Sequence, residues 1–117
     1  MIIPSGPLKV LVATKVTDFR KGANGLAALV QHELKVDPFS GVLFVFRSKR
    51  ANRIKLLLWD GTGMVLIAKT LQSGTFHWPQ IHNGVMRLSG AQAAALFEGL
   101  DWSRVHSARV ARPQVTQ

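Results

Sequence analysis

Residues 42–71 run VLFVFRSKRANRIKLLLWDGTGMVLIAKTL, and the fold turns on how they are read. Val42 to Arg47 is a continuous apolar run closed by an arginine, the pattern of a strand buried on both faces. Arg53 to Trp59 and Met64 to Leu71 are two further strands. Between them, Asp60-Gly61-Thr62-Gly63 supplies the positive-φ residues of a tight hairpin. With Gly61-Thr62 as the loop, Trp59 pairs with Met64, Leu57 with Leu66, and Lys55 faces Ala68. The connections between these strands are too short for a parallel crossover, so the three run antiparallel.

Working outward toward the N-terminus, Asp37-Pro38-Phe39-Ser40-Gly41 is a turn, because Pro38 cannot extend a helix and biases Asp37 away from helical geometry. Before it, Leu26, Leu29, Val30, Glu33 and Leu34 share one helical stripe and predict a helix over about 24–35. Thr17 or Asp18 is a candidate cap upstream, although Gly22 and Gly25 weaken the first turns. Residues 9–14 read as a β-branched strand, and residues 1–8, with Pro4, Gly6 and Pro7, as an irregular lead-in. Toward the C-terminus, 72–84 is a loop punctuated by Phe76, His77 and Trp78, and Val85 to Leu88 is a short strand. Ser89 caps a helix over 91–98 that Gly99 ends. Asp101-Trp102 is placed to fold back on the core. The fold class expected is α+β. Residues 1–103 form a single domain, a mainly antiparallel sheet of four to five strands with two helices on it, both expected on one face. Residues 104–117, with Arg104, Arg109 and Arg112 and no acid, read as a flexible basic tail.

The chain has 117 residues, 47% of them hydrophobic and 18% charged, enough apolar material for a core and too little charge for a disordered chain. Fifteen Lys and Arg against six Asp and Glu leave a net charge of +9, which favours anionic partners, nucleic acid above all. There is no Cys, hence no disulfide and no thiolate metal site, which fits a cytoplasmic protein. The N-terminus lacks the pattern of a signal peptide, and the apolar runs fall far short of the ~20 residues a membrane span needs.

The densest charge is Arg47, Lys49, Arg50, Arg53 and Lys55, with no acid among them. It occupies a hairpin tip and the start of the next strand, where cations can track phosphates. Asn52 either contacts a base or holds the turn. Arg20 and Lys21 form a smaller cluster at a helix start, where they oppose the macrodipole. Of the three tryptophans, Trp59 and Trp102 are expected in the core. Trp78, in a polar loop, is the exposed candidate for stacking on a base. A metal-dependent nuclease needs about three converging carboxylates. Asp18, Asp60 and Glu98 (or Asp101) could supply them, yet each has a plainer role as cap, turn or helix surface. His32, His77, His82 and His106 lack ligand spacing. No cofactor, metal or catalytic residue is expected.

Five strings occur in order: Thr17-Asp-Phe-Arg-Lys-Gly22, Asp37-Pro-Phe-Ser-Gly41, Leu58-Trp-Asp-Gly61 with Gly63, Gly74-x-Phe-x-Trp-Pro79, and Glu98-Gly-Leu-Asp-Trp102. On these the chain resembles the Orf2-like (TnpB-type) proteins of the insertion-sequence 66 family, over roughly residues 4–103. The resemblance implies a small accessory protein of a bacterial mobile element, encoded beside a separate, larger transposase to which strand transfer is attributed. The family is unrelated to the RNA-guided nucleases that share the TnpB label. The matching positions mark the family and carry over no catalytic role. Two readings stay open: a DNA-associated accessory factor, and a subunit that scaffolds the transposase without touching DNA. The partners expected are DNA, the transposase and other element-encoded proteins, and self-association is undecided.

Overall fold

A computed structural model describes residues 8–80 and 84–106. The lead-in before Leu8, His82 and Asn83 in the loop, and the tail arginines Arg109 and Arg112 lie outside the described residues. The elements are β1 (Val10–Ala13), α1 (Ala23–His32), β2 (Leu43–Arg47), β3 (Arg53–Trp59), β4 (Met64–Thr70), β5 (Val85–Leu88), α2 (Gly90–Phe97) and a 3₁₀ turn, Trp102–Arg104. They build one five-stranded sheet in the order β4-β3-β2-β1-β5. Every neighbouring pair is antiparallel except β1 and β2, which run parallel. A parallel pair needs a long connection, and α1 provides it.

The β3–β4 register has the pairing expected from the turn, Trp59 with Met64, Leu57 with Leu66 and Lys55 with Ala68. The Asp60 carboxylate organises that turn, accepting from Thr62 N–H and Gly63 N–H at 2.9 Å each.

The central strands are buried on both faces, as the apolar run of β2 implies. Val10, Val12, Leu43, Val45, Ile54 and Leu58 face one cluster, while Leu11, Phe44, Phe46 and Leu57 face the other. Phe44 and Phe46 are essentially inaccessible, and burying each such side chain is worth about 1.5–3 kcal/mol. Two apolar faces need two covers. Leu26, Ala27 and Val30 of α1 close one face, and Ala93, Ala95 and Leu96 of α2 close the other. The expectation that both helices share a face is thereby corrected. α1 bridges β1 and β2 over one side, while β5 delivers α2 to the opposite side.

The start of α1 falls within a residue of the expected position, whereas the upstream cap is unused and the helix ends early. No helix begins at Thr17 or Asp18; α1 starts at Ala23 behind Gly22, which makes no side-chain cap. It ends at His32, short of residue 35. Lys35 adopts φ +59°, and the N–H groups of Leu34 and Val36 turn back to the carbonyls of Leu29 and Val30. α2 begins as expected at Ser89, in a full capping box. Ser89 Oγ accepts from Gln92 N–H, and Gln92 Oε1 accepts from Ser89 N–H. Gly99 closes it at φ +78°.

Candidate nucleic-acid interface

The 48–52 hairpin tip is held by its own polar groups. Ser48 N–H donates to Arg53 O at 3.0 Å, and Ala51 N–H donates to Ser48 O at 3.0 Å. Ala51 takes φ +57° to close the turn. Asn52 holds the turn: its carbonyl accepts from Leu71 N–H at 2.9 Å, and its side chain accepts from Ser48 Oγ. Lys49 and Arg50 are exposed at this tip, and Arg53 is exposed at the start of β3. None of the three makes an ion pair among the described residues.

The second basic cluster packs against the first. Thr17 N–H donates to Arg47 O at 3.2 Å, tying the 17–22 loop to the end of β2. Phe19 then lies under two cations, with the Arg53 guanidinium 5.3 Å and the Lys55 ammonium 4.9 Å from its ring centre. Lys55 Nζ donates to the carbonyls of Phe19 at 2.6 Å and Lys21 at 3.0 Å. Lys55 is therefore a strut for the loop rather than a free phosphate contact. Arg20 is exposed but engaged: its guanidinium meets the Asp18 carboxylate at 2.9 Å. Hydrogen bonds from Arg20 side chain and backbone hold the Asp18 carboxyl down at about 2. Lys21 is exposed, and Arg47 is half-buried, its Nε without a hydrogen-bond partner among the described residues.

Seven of the sequence-expected contacts (Arg20, Lys21, Arg47, Lys49, Arg50, Arg53 and Lys55) thus gather where β1 and β2 end, β3 begins and the 17–22 loop crosses. The eighth does not act as expected. Trp78 lies near the same end but is buried, 8% exposed, with its indole N–H donating to Ala13 O at 3.0 Å. The loop carrying it is anchored across the strand ends by Phe76 N–H donating to Ala51 O, so the ring packs inward. Trp59, expected in the core, is only half-buried and meets Phe39 edge-on at 5.4 Å. Trp102 is buried as expected, its indole N–H donating to His77 O. Sequence reasoning missed Phe19 as the platform under the cations. An aromatic set among Asp18, Arg20 and Lys21 was the available signal.

Asp18, Asp60 and Glu98 form no metal-binding group among the described residues. Asp18 answers Arg20, and Asp60 lies at the far end of β3 in its turn. Asp101 caps the 3₁₀ turn through Ser103 and pairs with Arg104.

The family model described as IS66 Orf2-like protein matches residues 8–107. The chain belongs to the IS66 Orf2-like family. An uncharacterized protein of Sinorhizobium fredii (strain NBRC 101917 / NGR234), y4jC, is 47% identical over 113 residues, covering 97% of each chain. A second from the same strain, y4hO, is 41% identical over 102 residues, covering 86% of this chain and 89% of its own. No solved structure matches.

The strings that carry the IS66 Orf2-like resemblance meet in space. Phe39 of the second touches Trp59 of the third. Trp102 of the fifth donates to the His77 carbonyl in the fourth. The first, 17–22, lies over β3 under Arg53 and Lys55. Four of the five strings thus join in pairs that brace loops to one another, and the first braces the basic end.

Proposed function

We propose that this chain is an accessory protein of transposition that grips DNA phosphates with the basic end of its sheet, leaving strand cutting and joining to another protein of the element. Family membership supports the transposition role. The observation that carries the DNA reading is the grouping of exposed Lys49, Arg50, Arg53 and Lys21 at one end of the molecule, with Asp18 the acid beside them and already committed to Arg20. Lys55 braces this end from within, and the Arg47 backbone carbonyl ties the 17–22 loop to it. Phosphate contacts of this kind set affinity and orientation and carry no sequence information by themselves.

Fluorescence anisotropy with duplexes from the element's ends and with scrambled duplexes tests the reading. Affinity is expected to fall steeply as salt rises. Lys49→Ala with Arg50→Ala is expected to weaken binding to both duplexes alike. Equal affinity for wild type and the double variant removes the hairpin tip from the interface, and no binding at low salt removes DNA from the function. The second reading, a subunit that scaffolds the transposase, is favoured by Phe39, 52% exposed against Trp59 at the opposite end of β3. Under it, Phe39→Ser abolishes transposase binding and leaves DNA affinity unchanged.

A further inference from the structure

The geometry points to self-association through β4, two copies pairing their β4 strands antiparallel into one continuous sheet. Among the described residues, β4 has a neighbour on one side alone, β3. Its other edge is seven residues of VLIA-type sequence without proline, a length at which natural edges are normally blunted by charge, proline or a bulge. The charge in β4 is Lys69, and it does not guard the edge. Its ammonium turns back to donate to Phe97 O at 2.6 Å, at the end of α2. The opposite sheet edge, β5, is short and carries exposed Arg87.

The hydrogen-bond phase selects a register. Asp60 N–H donates to Gly63 O, and Leu71 N–H donates to Asn52 O, both on the β3–β4 ladder. Ladder bonds alternate along a strand, so Val65, Ile67 and Lys69 direct their backbone groups to β3. Met64, Leu66, Ala68 and Thr70 direct theirs to the free edge. A two-fold axis at Ile67 then pairs Leu66 with Ala68 and Met64 with Thr70 of the second copy, and every one of these pairs exchanges both of its hydrogen bonds. The two Ile67 residues face each other as a close, non-hydrogen-bonded pair.

The side chains agree with that register. Val65 and Ile67 line an apolar cleft of about 200 Å³ with Leu56, Leu58 and Phe97, and the second copy extends it with its own Val65 and Ile67. The charges agree as well. Arg53 pairs with Thr70 within the chain, and Met64 adjoins the Asp60 turn. Pairing Met64 with Thr70 of the second copy therefore lays the acidic turn of each copy toward the basic end of the other. The two basic ends are carried to opposite ends of the joined sheet, which limits repulsion between two chains of charge +9.

Sedimentation velocity on the full chain without DNA tests this, independently of whether the chain binds DNA. The wild type is expected at twice the 12.8 kDa chain mass at submillimolar concentration. Ala68→Pro removes a donor that faces outward and is exposed, which an edge strand tolerates, and is expected to weaken dimerisation roughly thirtyfold or more with unchanged circular dichroism. Should that variant fail to fold, Ile67→Lys supplies the same readout by placing like charges on the two-fold axis. A monomeric wild type overturns the proposal, including one that pairs only when another element-encoded protein is added. So does either variant, folded, dimerising as tightly as wild type.

Discussion

Lys55 carries a charge that the fold uses internally. Its ammonium holds two loop carbonyls, those of Phe19 and Lys21, and lies over the Phe19 ring. Lys55→Met keeps the aliphatic stem and deletes the donors. It is expected to cost roughly 1.5–3 kcal/mol in urea denaturation, the range for bonds to a charged group. DNA affinity should fall less than in Lys49→Ala, which loses an exposed cation and little stability. Trp78 is a second case where burial decides the role. Trp78→Phe keeps an aromatic ring and removes the bond to Ala13 O, so a loss of about 1 kcal/mol is expected with DNA affinity unchanged. A drop in affinity at constant stability would return Trp78 to the interface. Asp18 supplies a pH signature. Its carboxyl is lowered from 3.8 to about 2, chiefly by the Arg20 side-chain hydrogen bond. A depressed carboxylate stabilises the fold above its unfolded value and loses that contribution as pH falls through about 2. Acid titration of stability is therefore expected to flatten between those two values in Asp18→Asn.

At the scale of elements, α2 depends on its first turn. It is short, opens on glycine, and carries no acid in its first turn to favour the dipole. The reciprocal Ser89–Gln92 bonds satisfy donors that would otherwise be left open at a partly buried end. Ser89→Ala is expected to lower stability by about 1 kcal/mol, read from the urea midpoint at unchanged slope. This cap was legible because its signal spans four adjacent residues. The β3–β4 register was legible for the same reason: the Asp60–Gly63 turn and the alternation around it are local. The placement of α1 and α2 on opposite faces was not. It follows from β1 pairing parallel with β2 and antiparallel with β5, partners far away in sequence. The exchange of roles between Trp59 and Trp78 has the same origin. A strand tryptophan reads as core until its position near the Phe39 turn is known, and a loop tryptophan reads as exposed until Ala13 offers its carbonyl. The basic cluster at 47–55 was legible as charge. That Lys55 braces the loop, and that Phe19 lies beneath it, depends on a contact 36 residues apart.

For the whole molecule, a net charge of +9 would attract DNA even if its cations were spread evenly, so net charge alone does not locate an interface. Position along β1 separates the two cases. Lys9 adjoins the start of β1, whereas the basic end lies beyond the finish of β1 and β2. If Lys21, Lys49, Arg50 and Arg53 make the phosphate contacts, the logarithm of affinity should fall against the logarithm of salt with a slope of about −3.5. Lys49→Ala with Arg50→Ala should reduce that slope to about half, since each lost contact removes about one unit. Lys9→Ala, exposed and equally charged, should leave the slope unchanged. A slope that drops as much for Lys9 as for either hairpin residue would mean that DNA responds to the overall field of the protein, and the basic end would lose its claim to be a site.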